Sequence, residues 1–276
     1  MKAAHVVSLS LLSFGVLVGG MYIAAKNAPV TVVLPPSPPA PATNGFPRLQ
    51  AAARQLVRTG DTADALSSRT KPAWGLAKKR ELIAANRATL NDARVALRLP
   101  YRETNTIDSL NDDGYPQGKP FRNLARTLTL AGEVAWESGD QAESVGWYMD
   151  AITLGRRIPN RVGLEGMSVG LACESIGRKP LWRHLDALSP QVAAQCLARL
   201  NALAAHRVPL SVAIEEEKWS IQSTALECMT HPERIRREPD ADDTPNESGV
   251  YYGDVVPPRY VINTMGGYMD KLIAQS

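Results

Sequence analysis

Three consecutive glutamates, Glu215, Glu216 and Glu217, form the densest group of side chains capable of acid–base work in this chain. A general acid–base pair or a metal site needs two carboxylates converging on one point. Neighbours on a helix diverge by about 100°, so Glu215 or Glu217 needs a second helix to complete a site; without one they are solvated carboxylates. Glu165 and Glu174 share one helical stretch, but their nine-residue separation need not put them on one face.

The other reactive residue types are scattered. His5, His184, His206 and His231 show no H-E-x-x-H spacing, and His184 and Asp186 are too close on a helix to face each other. Gly166-Met167-Ser168-Val169-Gly170 has the letters of a G-x-S-x-G elbow, but it falls inside the helical stretch Val162–Ile176 rather than at a strand-to-helix turn, and no Walker glycine loop is present, which argues against a serine hydrolase or a P-loop enzyme. Cys173, Cys196 and Cys228 lack the C-x-x-C spacing of zinc ribbons and thioredoxin-like sites. They read as small core residues among apolar neighbours, one disulfide with a leftover thiol being the alternative. Asp240, Asp242 and Asp243 faintly resemble a calcium loop, but Thr244 and Pro245 stand where a third ligand and a glycine belong. Arg80, Arg87 and Arg94 form a heptad row that either meets an acidic surface or lays its stems along the core edge, the commoner case. The sequence therefore assigns no catalytic, cofactor-binding or metal-ligating residue, and no cofactor.

The elements around these residues are better defined. With 276 residues, 44% hydrophobic and 21% charged, the chain suffices for one globular domain with appendages. A net charge of +3 is too small for the basic face of a nucleic-acid binder.

Val6 to Ala25 carries no charge over 20 residues, about the length a helix needs to cross a bilayer. Residues 1–28 therefore read as a signal anchor, a single transmembrane helix. Lys2 precedes the span and predicts an extracytoplasmic, periplasmic-side domain, although Lys26 weakens the asymmetry. A cleaved signal is the competing reading, but Ile23 or Lys26 would occupy the −3 position, and neither suits cleavage. Gly15 and Gly19 supply a G-x-x-x-G pair suited to helix dimerisation. Residues 29–47 are rich in proline and predict an extended stalk.

Residues 48–276 read as all-α, since apolar residues recur at helical spacing. Helices are expected over Arg48–Val57, over Pro72–Leu97 as one long element, and from Phe121 to a break at Gly139-Asp140. Further helices are expected from there to Ile158, over Val162–Ile176, from Pro180, from Ser189-Pro190, around Ile214–Cys228 and over Pro258–Ala274. Gly163, Gly166 and Gly170 are expected to admit a neighbouring helix. Leu99–Gly118 and the polar stretch 231–257 read as loops.

The pair from Phe121 to Pro159 resembles a tetratricopeptide (TPR) unit, with Gly132, Ser144, Tyr148 and Ala151 at the small and aromatic positions and Gly139-Asp140 at the turn. Val162 to Leu203 has the helix-pair shape without the signature. The resemblance implies TPR-like, α-solenoid-like antiparallel pairs. The wider layout is similar to membrane-anchored bacterial proteins of undefined activity, which implies a location alone. The expectation is a non-enzymatic binding or scaffold protein of the cell envelope that holds another protein in a groove between helix pairs, with Trp136, Trp147 and Tyr148 as candidate groove aromatics. The alternatives are an envelope hydrolase using Glu215 or Glu217, and a homo-oligomeric structural component.

Overall fold

The computed structural model describes residues 20, 21, 23, 24, 39–57, 74–103, 115, 117–159, 162–230 and 258–275. Most of the predicted span, most of the stalk and the loop 231–257 lie outside the described residues, and with them His5, Gly15, Gly19, His231, Asp240, Asp242 and Asp243. Among the described residues no helix is long and apolar enough to cross a membrane.

The described residues are all-α, without a strand. The helices are α1 (Phe46–Gln55), α2 (Leu76–Ala85), α3 (Arg87–Ala96), α4 (Gly118–Glu137), α5 (Gln141–Arg157), α6 (Gly163–His184), α7 (Pro190–Ala205), α8 (Leu210–Thr230) and α9 (Pro258–Gln275), with a 3-10 turn at Leu185–Ala187 after α6. They fall into two compact units. Residues 39–103 and 115–216, where described, form the first; residues from 217 onward belong to the second. In the second unit, Lys218 on α8 pairs with Asp270 on α9.

Local sequence explains three of the helix ends. Gly139 takes φ 86°, the left-handed conformation that glycine adopts without a Cβ penalty, and ends α4. Asp140 then caps α5 by accepting from the Glu143 N–H at 2.9 Å. Ser189 accepts from the Val192 N–H ahead of Pro190 and starts α7.

Four expectations need correction. Helix α1 begins at Phe46, so Pro47 belongs to its first turn rather than to the stalk; proline lacks only a donor that a first turn leaves unused. The loop after Leu99 gives way to α4 already at Gly118. The long helix Pro72–Leu97 is interrupted at Asn86. The buried Asn86 side chain donates to the carbonyls of Leu82 and Val57 and accepts from the Val57 N–H, tying α2 and α3 to the end of α1. Finally, Val162–Ile176 and the stretch from Pro180 form one helix, α6, with Pro180 buried inside it. The missing proline donor costs one hydrogen bond, and burial of Pro180 and Leu181 holds the helix together across it.

Helix α5 sits at the centre of the first unit. One side joins the main core through Ala151, Leu154 and Ile158, packed with Leu49, Leu90, Phe121, Leu124 and Val169. The other side presents Val145, Tyr148, Met149 and Ile152 to Leu181 of α6 and Cys196 of α7. Close approach on both sides depends on glycine. A Cβ on Gly132 of α4 would lie 2.4 Å from the Tyr148 ring and 3.0 Å from the Ser144 carbonyl. A Cβ on Gly155 would lie 2.4 Å from the Gly170 carbonyl, and one on Gly177 would lie 2.8 Å from the Tyr148 carbonyl. Contacts that pair 155 with 170 and 148 with 177 run α5 and α6 antiparallel. Of the three glycines expected to admit a neighbour, Gly170 does so. Gly163 instead takes φ 61° at the start of α6, and Gly166 makes room for the Val162 side chain of its own helix.

Cys173 and Cys196 are buried free thiols in separate core clusters. Cys228 lies on α8. Burial pushes the Cys173 thiol up to about 12 and the Tyr148 phenol likewise to about 12, and it raises Tyr101 well above its ordinary range. The folded chain therefore retains these protons at a pH where the unfolded chain, with ordinary values near 9.0 for the thiol and 10.0 for the phenol, has begun to release them. Their contribution is complete below the unfolded values and declines as pH rises through 12. Denaturant melts at pH 7 and pH 10.5 are expected to show a clear loss at the higher pH, smaller in Cys173→Ala. Equal stability at both values would contradict this.

Candidate functional site

The groups singled out from sequence do not converge. Glu216 is buried, and its carboxylate accepts from the Gly163 N–H at 3.3 Å. Val162 provides no side-chain cap for α6, so Glu216 satisfies an otherwise open donor at that helix start. Glu215 and Glu217 are half-buried and line neither cavity described below. Glu165 is exposed, whereas Glu174 is buried between Arg156 Nε and Arg178 Nη2, each at 2.9 Å. His184 stacks on Trp136 with ring centres 3.8 Å apart, and burial together with the neighbouring Arg183 lowers its pKa. His206 is an exposed residue at the end of α7. Among the described residues no three His, Cys, Asp or Glu side chains gather as a metal site would require.

The arginine row is divided by the break at Asn86. Arg80 on α2 donates to the Ser138 hydroxyl at 3.0 Å, and Arg87 is exposed. Arg94 on α3 turns inward and organises the groove that forms the candidate site.

That groove is a cavity of about 470 Å³ lined by α3, α5 and α7. Asp150 of α5 forms its floor, with a side chain only 8% exposed. Its two oxygens accept from different helices, Oδ2 from Arg94 Nε at 2.7 Å and Oδ1 from Arg199 Nη2 at 3.0 Å. Arg94 also donates from Nη1 to Glu143 at 3.0 Å, and its guanidinium carbon lies 3.4 Å from the centre of the Trp147 ring. Charge on both edges and an aromatic face beneath fix that guanidinium in one orientation.

Three guanidinium groups and two carboxylates line the groove, which leaves one positive charge in excess. Arg98 carries it at the exposed rim, with no carboxylate partner among the described residues. The Thr153 hydroxyl donates to the Met149 carbonyl at 2.7 Å, so it is committed to its own helix. The remaining capacity is hydrogen-bond donation to a carbonyl or carboxylate.

Comparison with known proteins finds no matching family model, no similar curated protein and no similar solved structure. The function must be argued from the geometry.

Sequence reasoning reached Arg94 and Trp147 but passed over Asp150, Arg98, Arg199 and Glu143. One signal was present. Asp150 stands among Tyr148, Met149, Ala151 and Ile152, in a run too apolar to face water, and a carboxylate buried in such a run requires cationic partners. Of the proposed groove aromatics, Trp147 underlies the groove, Tyr148 is fully buried in the core, and Trp136 stacks on His184 elsewhere.

Proposed function

We propose that this chain is a non-enzymatic binding or scaffold protein of the cell envelope, held at the membrane by the apolar segment 6–25 and spaced from it by the proline-rich stretch. Its TPR-like helix pairs carry a groove that takes a segment of another protein. One observation supports this most directly: in a groove between three helices, every carboxylate is committed to arginine while Arg98 at the rim is left to meet an incoming acceptor. Peptide carbonyls and acidic side chains are the complementary groups.

A photo-crosslinking amino acid placed at Arg98 in the full chain, in intact cells, is expected to yield a discrete adduct. The same residue at Gln195, exposed on α7 and absent from the groove lining, is expected to yield none. Identical patterns at both positions, or no adduct at Arg98, would rule out the groove. A phosphatase fused to the carboxyl end, active only outside the cytoplasm, is expected to be active; an inactive fusion at normal expression would remove the membrane-display part of the reading.

A further inference from the structure

The outward face of α6, with the first residue of the 3-10 turn that follows it, carries a second pattern, independent of the groove. Positions 164, 168, 171, 175, 178, 182 and 185 are all exposed, and they advance in strict alternation of four and three residues. That is the seam of a helix that packs along another helix. Its residues are Leu164, Ser168, Leu171, Ser175, Arg178, Trp182 and Leu185. Trp182 is 68% exposed, Leu171 50% and Leu185 46%, while a concavity of about 600 Å³ between Leu171 and Trp182 gives the face relief. A solitary exposed leucine needs no explanation, but three leucines and a tryptophan in one row, spaced by two serines and an arginine, do.

The seam is complementary to itself. Turned end over end about Ser175, a second copy sets Leu164 against Leu185 and the small Ser168 against the large Trp182. Leu171 meets the aliphatic stem of Arg178, and two serines meet at the axis, where small side chains allow helices to come close. The flanking charges match as well, because Glu165 of one copy then lies beside Arg183 of the other. Both are exposed, and neither has an ion-pair partner among the described residues. A two-fold contact requires this reciprocity, each patch meeting its own copy.

We infer that the protein forms an antiparallel homodimer through the outer face of α6, with Ser175 on the two-fold axis. An acidic partner helix or an anionic bilayer would also satisfy the basic end of α6, but neither would use Glu165.

The test uses the full chain in detergent micelles, with mass read by sedimentation and helicity by circular dichroism. Wild type is expected to be a dimer. Leu171→Glu is expected to shift it to monomer with unchanged helicity. Glu165→Arg and Arg183→Glu are each expected to weaken the dimer by about tenfold, and the double swap to restore it. A short bismaleimide is expected to link Ser175→Cys chains in pairs, but not Gln195→Cys chains or the unaltered protein. A wild-type monomer, a double swap no better than the single variants, or equal linking at both positions would overturn the inference. A dimer lost on Gly15→Leu with Gly19→Leu but kept in Leu171→Glu would also overturn it, placing association in the apolar segment. A wild-type monomer whose α6 face, read by Trp182 fluorescence in the full chain, is buried on reconstitution into phosphatidylglycerol vesicles but not into phosphatidylcholine vesicles would overturn the inference and assign the face to lipid. None of these results alters the groove crosslinking at Arg98.

Discussion

Gly155→Ala is expected to destabilise the first unit by about 3 kcal/mol or more, the cost of forcing extra volume into a packed interior. The added methyl would sit 2.4 Å from the Gly170 carbonyl oxygen and 2.6 Å from the Glu174 amide nitrogen. Both are backbone atoms of α6, so relief requires moving a whole helix. Movement there also disturbs the buried Glu174, whose carboxylate is held by Arg156 and Arg178. Gly146→Ala, on the same helix, provides the opposite expectation. Its methyl would come no closer than 3.7 Å to any neighbour, and glycine inside a helix costs about 0.5–1 kcal/mol relative to alanine. Gly146→Ala should therefore melt at higher denaturant than wild type and Gly155→Ala far lower. Similar midpoints for the two would show that the α5–α6 contact is looser than described.

Asp150→Ala is the second large effect. It leaves Arg94 and Arg199 facing each other across the vacated floor of the groove, two like charges without their shared counter-ion. Breaking a buried pair costs about 3–5 kcal/mol, and the 45% exposure of Arg199 brings the expectation towards about 2–3 kcal/mol. Asp150→Asn preserves shape and one acceptor and should lose less. In a double-mutant cycle, coupling of Asp150 to Arg94 should exceed coupling to Arg199, because Arg94 is the more buried partner and is also fixed by Glu143 and Trp147. Crosslinking from Arg98 should fall along with the stability of the groove. Negligible coupling to both arginines would mean that Asp150 is solvated, and the groove would lose its floor.

How much of this was legible from sequence depends on the range of the interaction involved. The Gly139-Asp140 turn and the Ser189-Pro190 start are set by neighbours within four residues, and both were readable. The small and aromatic residues at 132, 144 and 148 were also readable, because their spacing is a local signature. The break at Asn86 was not, since an asparagine inside a helical pattern interrupts it here by binding Val57, 29 residues earlier. Pro180 misled in the opposite direction, for a proline reads as a helix start unless burial overrides it. The groove escaped notice because Asp150 meets Arg94 and Arg199 across 56 and 49 residues. The glutamate triplet drew attention by local density, yet its middle member serves as a helix cap for a distant segment.

Helices α4, α5 and α6 follow one another with only three and five residues between them, and each packs on the helix before it. Contacts so close along the chain make for quick folding, because little loop entropy must be surrendered before they form. The three-helix stretch should therefore assemble early, as soon as it has been synthesised. Its amides should be the last to exchange with heavy water, while α1 and α7, which attach afterwards, should open first.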